Sequence, residues 1–444
     1  MSLPSLPALN RSLPVTSHSS RVRYVVELFR AHADDPRLPV LLNALVGKSS
    51  YHALLAVEAA RVLGDTARLK ELAKHSSRRV RLRAAALLPL RATDPTAFAI
   101  DYTTRPIAER RRLRRRIINE GRRDLAAALL AAPLSDRERA GMLIACDPDT
   151  IADHMPELGD LVPNLAALAH RHPDVVLAEV RRRLDGAPAD RRATIWRWIA
   201  PAVRHLVRAR PRELALLVSA AESSRGLPPL FRDVAGPLLV AAPDDMSRLL
   251  ALTPAHHFSG RYGIGGRIRR RFRELTREQR SRILRATRDD EHEVACLLRG
   301  LPPGERAQAF ADAYEGVELR DRDWSEEMLD ALPRELRETQ AARMAGLPVN
   351  QGREEQLRLA AHLAPDQALA VAEPCLNSSD AEERGAAWHA ILASALRSRD
   401  PRAIVVAFAR IEILATEQDP VRNAAMAALA VASGQLLDLI PAER

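Results

Sequence analysis

The chain has 444 residues, 47% of them hydrophobic but only 4% aromatic, and a formal net charge of +10. A single hydrophobic core stops growing at about 250–300 residues, so this length excludes one ordinary compact domain and leaves several domains or an elongated repeat array. No stretch approaches the roughly 18–20 apolar residues that span a bilayer, and three widely spaced cysteines argue against a disulfide framework. We therefore expect a cytoplasmic protein with no membrane partner.

The charge is unevenly distributed along the chain. Residues 301–444 contain 15 arginines and 24 acidic residues, a net charge of −9, which leaves +19 for residues 1–300. A basic first part favours a polyanionic or acidic partner. Arginine supplies 64 of the 67 basic residues, however, which is also what a GC-rich coding bias produces. That bias accounts for arginine in place of lysine but does not by itself account for the positive excess.

In chain order, the predicted elements are a leader and a long series of short helices. Residues 1–20 are rich in Pro and Ser and lack the regions of a signal peptide, so we expect a flexible leader. After it, Asp-Pro and similar pairs recur in front of short apolar segments. Each pair predicts a helix start, because Asp caps helices well and Pro is tolerated at the first helical position. The pairs are Asp35-Pro36, Asp94-Pro95, Asp147-Pro148, His172-Pro173, Arg210-Pro211, Asp400-Pro401 and Asp419-Pro420.

The spacing of these prolines predicts two-helix repeats. Pro173 and Pro211 are 38 residues apart, and Pro365 and Pro401 are 36 apart. This is the size of a helix–turn–helix unit in the HEAT and armadillo class. The repeats are irregular, so the period alone does not define every unit.

Two segments resemble the second helix of a HEAT repeat. They read SRRVRLRAAALL at 77–88, with Ser77 in the capping position, and DPVRNAAMAALA at 419–430. In the second segment, Val421 and three alanines form one apolar stripe at i, i+3, i+4 and i+7, where small residues let helices approach closely. The resemblance implies an all-α fold, a right-handed α-α superhelix of irregular HEAT-like helix pairs. Residues 21–300 would form basic repeats, and residues 301–444 would continue the same array as acidic repeats. It is nearly silent on function, because such arrays include scaffolds, transport factors and a few enzymes.

The first candidate binding segment is the run RPIAERRRLRRRIINEGRR at 105–123, which holds nine arginines. Helical spacing places Leu113 and two isoleucines on the core side. The remaining arginines could then neutralise several phosphates of a nucleic acid, which would make binding dependent on salt. A heavily solvated helix face is the alternative. The candidate polyanion-binding residues of this run are Arg110, Arg111, Arg114 and Arg115.

Trp196 and Trp198 invite comparison with the HEAT-like DNA glycosylases that remove alkylated bases. Those enzymes resemble this chain in fold, basicity and use of arginine, and they place aromatic side chains and a catalytic Asp on the concave face. Here the two tryptophans are about 200° apart around a helix, so both cannot line one face. No Asp follows them within one turn. A core or interface role is the alternative, and we predict no catalytic residue.

The second candidate binding segment reads HHFSGRYGIGGRIRRRFR at 256–273, a glycine-rich loop that leads into a basic helix. Glycines let backbone N–H groups form an anion-binding concavity, and a helix N-terminus adds positive potential. We expect Ile268, Phe272 and Leu275 to be buried, and Thr276 to open the next helix with a capping box. A flexible turn between repeats is the alternative. The candidate residues are His256, His257, Tyr262, Gly263, Gly265, Gly266, Arg267, Arg270 and Arg271.

The sequence predicts no metal site, no cofactor and no catalytic signature. The one His-Glu pair, His292-Glu293, lies in an acidic run, unlike the repeated pairs of iron-binding HEAT-repeat hydroxylases, and no Gly-x-Ser-x-Gly occurs. We therefore expect a non-catalytic interaction scaffold that binds a protein partner or a polyanion on a curved helical surface. The alternative is a nucleic-acid-binding protein, or a HEAT-like alkylpurine DNA glycosylase, that uses the arginine clusters.

Overall fold

The computed structural model describes residues 3–13, 17–254 and 264–429, together with residues 432 and 436. Within these residues the regular secondary structure consists of 29 α-helices and short 3-10 segments, with no strand. This agrees with a composition dominated by alanine, leucine, arginine and glutamate, the residues that favour helices most. The all-α fold class is thus confirmed. None of the helices in this part of the chain is long and apolar enough to cross a membrane.

The chain forms two compact units, Met1–Glu179 and Val180–Arg444. The α-helices that begin in the first unit are α1 Leu6–Ser12, α2 His18–Ala31, α3 Leu38–Lys48, α4 Ser50–Leu63, α5 Thr66–Leu72, α6 Arg78–Ala85, α7 Pro95–Thr104, α8 Ile107–Glu120, α9 Arg123–Ala131, α10 Asp136–Ala140, α11 Pro148–Leu158, α12 Leu165–Arg171 and α13 Pro173–Leu184, which contains the boundary. Its 3-10 segments are Leu88–Arg91, Leu143–Ala145 and Gly159–Leu161.

The second unit continues with shorter helices on average and one long one. Its α-helices are α14 Ala189–Ile199, α15 Val203–Ala209, α16 Pro211–Ala221, α17 Ala235–Ala241, α18 Pro243–Ala251, α19 Ile264–Phe272, α20 Arg277–Thr287, α21 Glu291–Leu298, α22 Pro303–Ala313, α23 Glu326–Ala331, α24 Arg334–Ala345, α25 Arg353–Ala360, α26 Pro365–Ala372, α27 Ala381–Ser398, α28 Pro401–Ala409 and α29 Asp419–Ala428. Its 3-10 segments are Pro229–Val234, Pro348–Asn350, Glu373–Cys375 and Ile411–Thr416.

The boundary between the compact units differs from the division that the charge suggests. The units meet at residues 179 and 180, whereas the net charge changes sign near residue 300. The division near residue 300 is one of amino-acid composition and not of packing. That the two parts differ in the charge of their surfaces stays a prediction. Within the predicted leader, residues 1–20, the chain forms α1, and Leu9 of this helix is fully buried.

Six of the seven proline pairs open a helix, as the sequence predicts. Asp94, for example, accepts hydrogen bonds from the backbone N–H groups of Thr96 and Ala97, and its helix begins at Pro95. The exception is Asp35-Pro36. There the Asp35 carboxylate accepts from the backbone N–H and the guanidinium of Arg37, so it closes a turn before α3 starts.

Helices pack on their second neighbours along the chain within each unit. In the first unit α2 packs on α4, α4 on α6 and α7 on α9. In the second unit each helix from α16 to α21 packs on the helix two places later, and α25, α27 and α29 follow the same rule. Alternate helices therefore form two layers, with an aliphatic core between them. The core residues include Val80 and Ala84 in the first unit and Val421 and Ala425 in the second.

Arginine side chains join successive helices of the same layer by donating hydrogen bonds to backbone carbonyl groups. Arg116 donates to the carbonyl of Ala86, Arg285 to that of Asp312 and Arg299 to that of Glu327, at 2.6, 3.0 and 2.9 Å. The partners in these three pairs are 30, 27 and 28 residues apart. Ala86 and Asp312 lie at the C-terminal ends of helices, where the last carbonyl groups have no helical partner. The three contacts fasten one helix pair to the next.

Candidate anion-binding site

Helix α8 carries the arginine run of the first unit and has the sidedness that its sequence predicts. Leu113 and Ile117 are buried, Ile118 is half-buried, and Arg111 and Arg115 are exposed. Arg110 and Arg114 flank the buried stripe and are half-buried. The helix ends where the backbone turns at a left-handed glycine.

A concavity of about 510 Å³ lies beside α8 in the first unit. All four arginines that the sequence singled out line it, and Arg137 of α10 is a fifth. The rest of the wall includes one acidic residue, Glu138, and the apolar side chains of Ile107 and Pro163. We call this site the arginine concavity, defined by Arg110, Arg111, Arg114, Arg115, Arg137 and Glu138.

The charges of the arginine concavity are largely uncompensated. Arg110 lies 3.5 Å from the carboxylate of Glu138, measured between Nε and Oε1. No hydrogen bond or ion pair joins the side chains of the other four arginines to any described residue. Some arginines elsewhere in the unit are paired, as Arg122 is with Asp124 at 2.5 Å. Five positive charges thus face one negative charge, which is favourable for an anion and unfavourable for an empty protein.

Neighbouring residues hold the arginines in position. The hydroxyl of Tyr102 donates a hydrogen bond of 3.1 Å to the backbone carbonyl of Arg110, and burial raises the pKa of Tyr102 to about 12. Tyr102 therefore stays neutral and serves as a donor. On the other side, the side chain of Arg114 lies against Gly141, where a larger residue would displace it. No local sequence pattern predicts that Arg137, Glu138 and Gly141 lie here, because they belong to α10 and its end and not to α8.

The second predicted site is only partly within the described residues. His256, His257, Tyr262 and Gly263 lie outside them. Gly265 and Gly266 are in the first turn of α19, so the prediction that they belong to a loop is wrong. The reason is that Ile264, Ile268 and Phe272 are all buried, and helical spacing brings all three to the core.

Gly265 provides room for a buried carboxylate. A Cβ atom at this position would overlap Oε2 of Glu293, which is 2% exposed and has no hydrogen-bond partner. Burial, with a smaller contribution from Asp290, raises the pKa of Glu293 to about 7. The first turn of α19 therefore already faces a carboxyl group of the protein, which does not favour a second anion at Gly265.

The arginines of α19 are more nearly neutralised than those of the arginine concavity. Arg267 pairs with Asp233 at 3.1 Å and Arg271 pairs with Glu274 at 2.9 Å. Arg270 is exposed and makes no ion pair with a described residue. The expected capping box is present, because Thr276 and Gln279 exchange hydrogen bonds at the start of α20. Two of the four arginines of α19, Arg267 and Arg271, are thus paired, whereas Arg269 and Arg270 are exposed and make no ion pair with a described residue.

The two tryptophans lie on different sides of α14, as their spacing predicts. Trp196 is 4% exposed, packs edge to face on Phe231 with ring centroids 5.2 Å apart, and donates a 2.7 Å hydrogen bond from Nε1 to Oε1 of Glu222. Trp198 packs on the guanidinium of Arg183, 4.0 Å from its ring centroid. Glu222 is 26 residues beyond Trp196, so no local pattern could have connected them.

Two further features bear on metal chemistry. His292 is joined to Glu327 by a 2.5 Å contact between Nδ1 and Oε2. Within residues 3–13, 17–254 and 264–429, no group of three or more His, Cys, Asp and Glu side chains is arranged to hold a metal ion.

Comparisons with known proteins return no relative for this chain. No protein-family model matches it, and no curated protein or solved structure does either. The packing of the helices and the charges of the arginine concavity are therefore the observations on which function can be argued.

Proposed function

We propose that this chain is a HEAT-type helical-repeat protein, a right-handed α-α superhelix that acts as a non-catalytic interaction scaffold, and that its arginine concavity binds a phosphate-bearing polyanion. The packing of helices on their second neighbours supports the repeat architecture, because stacked helix pairs contact only adjacent pairs. The arginine contacts support it as well, because their partners are about 30 residues apart, roughly the length of one helix pair. The resemblance of residues 77–88 and 419–430 to HEAT helices supports the assignment to this class.

The observation that carries the binding proposal is the group of unpaired arginines around one concavity. A guanidinium presents several N–H donors in a planar fork that matches two phosphate oxygens at once. Arg111 and Arg115 are one helical turn apart on α8, as are Arg110 and Arg114. The four arginines thus form two adjacent rows on one face, an arrangement suited to successive phosphates rather than to a single one.

Nucleic acid is the polyanion that we propose, because its regular line of phosphates fits two rows of arginines. Binding of this kind releases counterions, so its affinity falls steeply as salt increases. Apart from Tyr102, Ile107, which is 57% exposed, and Pro163, the residues of the wall are charged or carry a hydroxyl group. An acidic protein is accordingly the less favoured partner.

The test is a salt titration of binding to labelled duplex DNA and RNA, starting at about 50 mM salt. We expect the variant Arg111→Glu/Arg114→Glu/Arg115→Glu to bind at least tenfold more weakly than the unchanged protein. The matched control is Arg78→Glu/Arg79→Glu/Arg112→Glu. It changes the same charge within the same unit, at exposed arginines that make no ion pair with a described residue and lie outside the arginine concavity.

Two outcomes would overturn this proposal. One is the absence of binding to either nucleic acid at the lowest salt. The other is equal loss of affinity in the two triple variants, which would mean that net charge alone is responsible. A third variant, Arg267→Glu/Arg270→Glu/Arg271→Glu, tests the helix α19, and we expect a smaller loss because Arg267 and Arg271 are already paired.

The enzymatic alternative, an alkylpurine DNA glycosylase, is separated from this proposal by its product. A glycosylase releases free base from alkylated DNA, and we expect the purified protein to release none. Trp196 is 4% exposed and packs on Phe231, so it is not presented to a DNA backbone on an open face. Release of free base by the purified protein would support the alternative.

A further inference from the structure

A second cavity, of about 460 Å³, lies in the second unit beside α14. Its volume is within the range of sites for small molecules. The wall is mostly apolar and comes from Ala193 and Trp196 of α14 and from the segment 226–230, which supplies two prolines and two leucines. We call it the Trp196 cavity. It is separate from the arginine concavity in sequence and in the unit that contains it.

One carboxylate lies within this apolar wall. Glu222 is 5% exposed, and among the described residues the one side-chain hydrogen bond of Glu222 is the bond that it accepts from the indole N–H of Trp196. No arginine, lysine or histidine of the described residues lies within ion-pair distance of it. A buried carboxylate without a cation is costly, since burial in an apolar environment penalises its charge. Pairing with a cation in the cavity would remove much of that cost.

Two arginines also line the Trp196 cavity, but at its exposed rim. Arg197 donates to the backbone carbonyl of Ala193 and to the hydroxyl of Thr194, and Arg225 donates to the carbonyl of Ala189. Both residues are exposed, so water and salt screen their charges. Glu222 is not screened in this way. It is the one acidic side chain among the residues that line the cavity.

The segment 226–230, which supplies much of the wall, packs closely on Thr253. Gly226 has a φ of +83°, and a Cβ atom there would lie 2.5 Å from Cα of Thr253. The backbone N–H of Leu227 donates a 2.8 Å hydrogen bond to Oγ1 of Thr253, which is itself 3% exposed. The segment thus packs tightly on the end of α18, and the cavity is formed before any ligand arrives.

We propose that the Trp196 cavity binds a small organic ammonium ion whose apolar body packs against Trp196 and Leu227 and whose charged group pairs with Glu222. The volume suits a ligand of about ten non-hydrogen atoms or somewhat more. The apolar wall contributes affinity, and the buried carboxylate selects the charge. The proposal for this site does not rest on nucleic-acid binding by the arginine concavity.

The experiment compares two probes of the same shape by calorimetry at pH 7, cyclohexylmethylammonium and the neutral cyclohexylmethanol. We expect the unchanged protein to bind the ammonium ion about tenfold or more tightly, because a buried charge-assisted hydrogen bond is worth at least that factor. Glu222→Gln should abolish this preference and change the affinity for the alcohol by less than about threefold. The amide oxygen of the new Gln can still accept from Trp196, so this variant retains the hydrogen bond.

The matched control is Glu213→Gln on α16, which removes the same charge from an exposed residue outside the cavity. It should keep the preference for the ammonium ion. A second variant, Ala193→Leu, places a larger side chain in the cavity from an exposed helix position, where leucine favours the helix. It should weaken the binding of both probes about tenfold. It tests the site even if Glu222→Gln proves unstable.

Four results would overturn the proposal. The two probes bind the unchanged protein equally, or neither binds at millimolar concentration, or Glu213→Gln loses the preference as fully as Glu222→Gln. Unchanged affinities in Ala193→Leu would also contradict it, because the ligand would then bind elsewhere.

Discussion

Arg114 lies against the backbone of Gly141, so closely that a Cβ atom on residue 141 would come within 2.8 Å of its Nη1 atom. The backbone at Gly141 has a φ of −69°, which any residue adopts. Glycine is therefore required here for space and not for conformation. Its absence of a side chain lets the guanidinium of Arg114 reach the arginine concavity.

We accordingly predict that Gly141→Ala weakens polyanion binding more than it affects stability. The nearest atoms are the far end of a flexible side chain, which can move at little cost, so the free energy of unfolding should change by less than about 1 kcal/mol. Binding should weaken about twofold to fivefold, because the guanidinium is displaced. Thermal unfolding and nucleic-acid titration measure the two effects. Gly47→Ala is the control, since nothing lies within 4 Å of that position, and it should leave binding unchanged.

The salt dependence of binding should show which individual arginines contact a phosphate. Replacing Arg111 or Arg115 with Gln removes one phosphate contact, so the slope of log K against log salt should become shallower by about 0.7–0.9. Arg112→Gln, on the same helix but outside the concavity, should lower affinity slightly without changing the slope. Slopes that are identical in all three variants would contradict direct phosphate contacts by these residues.

Glu293 should make the second unit less stable as pH rises. Its pKa is about 7 in the folded protein, against a usual value of 4.5, so the folded state holds a proton that the unfolded state has lost between these values. The contribution to stability is complete below about pH 4.5 and is lost as pH increases to about 7. Asp290 and Glu327 raise the pKa in the same direction as burial, and His292 opposes them.

The variant Glu293→Gln tests this expectation. It should flatten the pH dependence of unfolding between about pH 4.5 and 7, and at pH 8 it should raise the free energy of unfolding by about 1–2 kcal/mol. Denaturant titrations at several pH values measure it. Glu326→Gln, at an exposed residue of α23, is the control and should leave the pH profile as it is. A steeper profile in Glu293→Gln would show that the carboxyl is ionised when buried.

A side chain added at a left-handed glycine has two energetic costs, one from the backbone conformation and one from steric overlap. A comparison of Gly226 with Gly186 distinguishes them. Both have positive φ, +83° and +68°, but only Gly226 has backbone atoms of Thr253 within 3 Å of the added Cβ position. Gly186→Ala should cost about 1 kcal/mol for the conformation alone. Gly226→Ala should cost about 2–3 kcal/mol, because the backbone at Thr253 must also move. Equal losses in thermal unfolding would mean that the segment 226–230 is free to shift.

The sequence predicts those features that depend on neighbours within one helix. The all-α class, the capping box at Thr276 and the buried stripe of Ile268 and Phe272 are confirmed because they follow from helical spacing and from end groups. The sidedness of the arginines on α8 is confirmed for the same reason. Local rules suffice wherever the partner is at most about one turn away.

What the sequence does not predict are contacts between helices that are far apart in the chain. Glu222 reaches Trp196 across 26 residues, and Arg137 joins the arginine concavity from α10. The glycine-rich pattern predicts a loop at Gly265, but this residue lies in the first turn of α19, where the carboxylate of Glu293 leaves no room for a Cβ atom. Each of these contacts is decided by tertiary packing, which overrides local propensity.

The arginine contacts between helix pairs also limit how this sequence can change. Arg122 donates to the carbonyl groups of both Leu90 and Ala92, and Arg343 donates to those of Arg320 and Arg322. The ammonium group of lysine has no planar fork and would hold fewer of these carbonyl groups in place. Replacement of these arginines by lysine, as a shift toward AT-rich codons favours, would therefore destabilise the fold. A coding preference that supplied arginine at first would, through these contacts, have become a requirement of the fold.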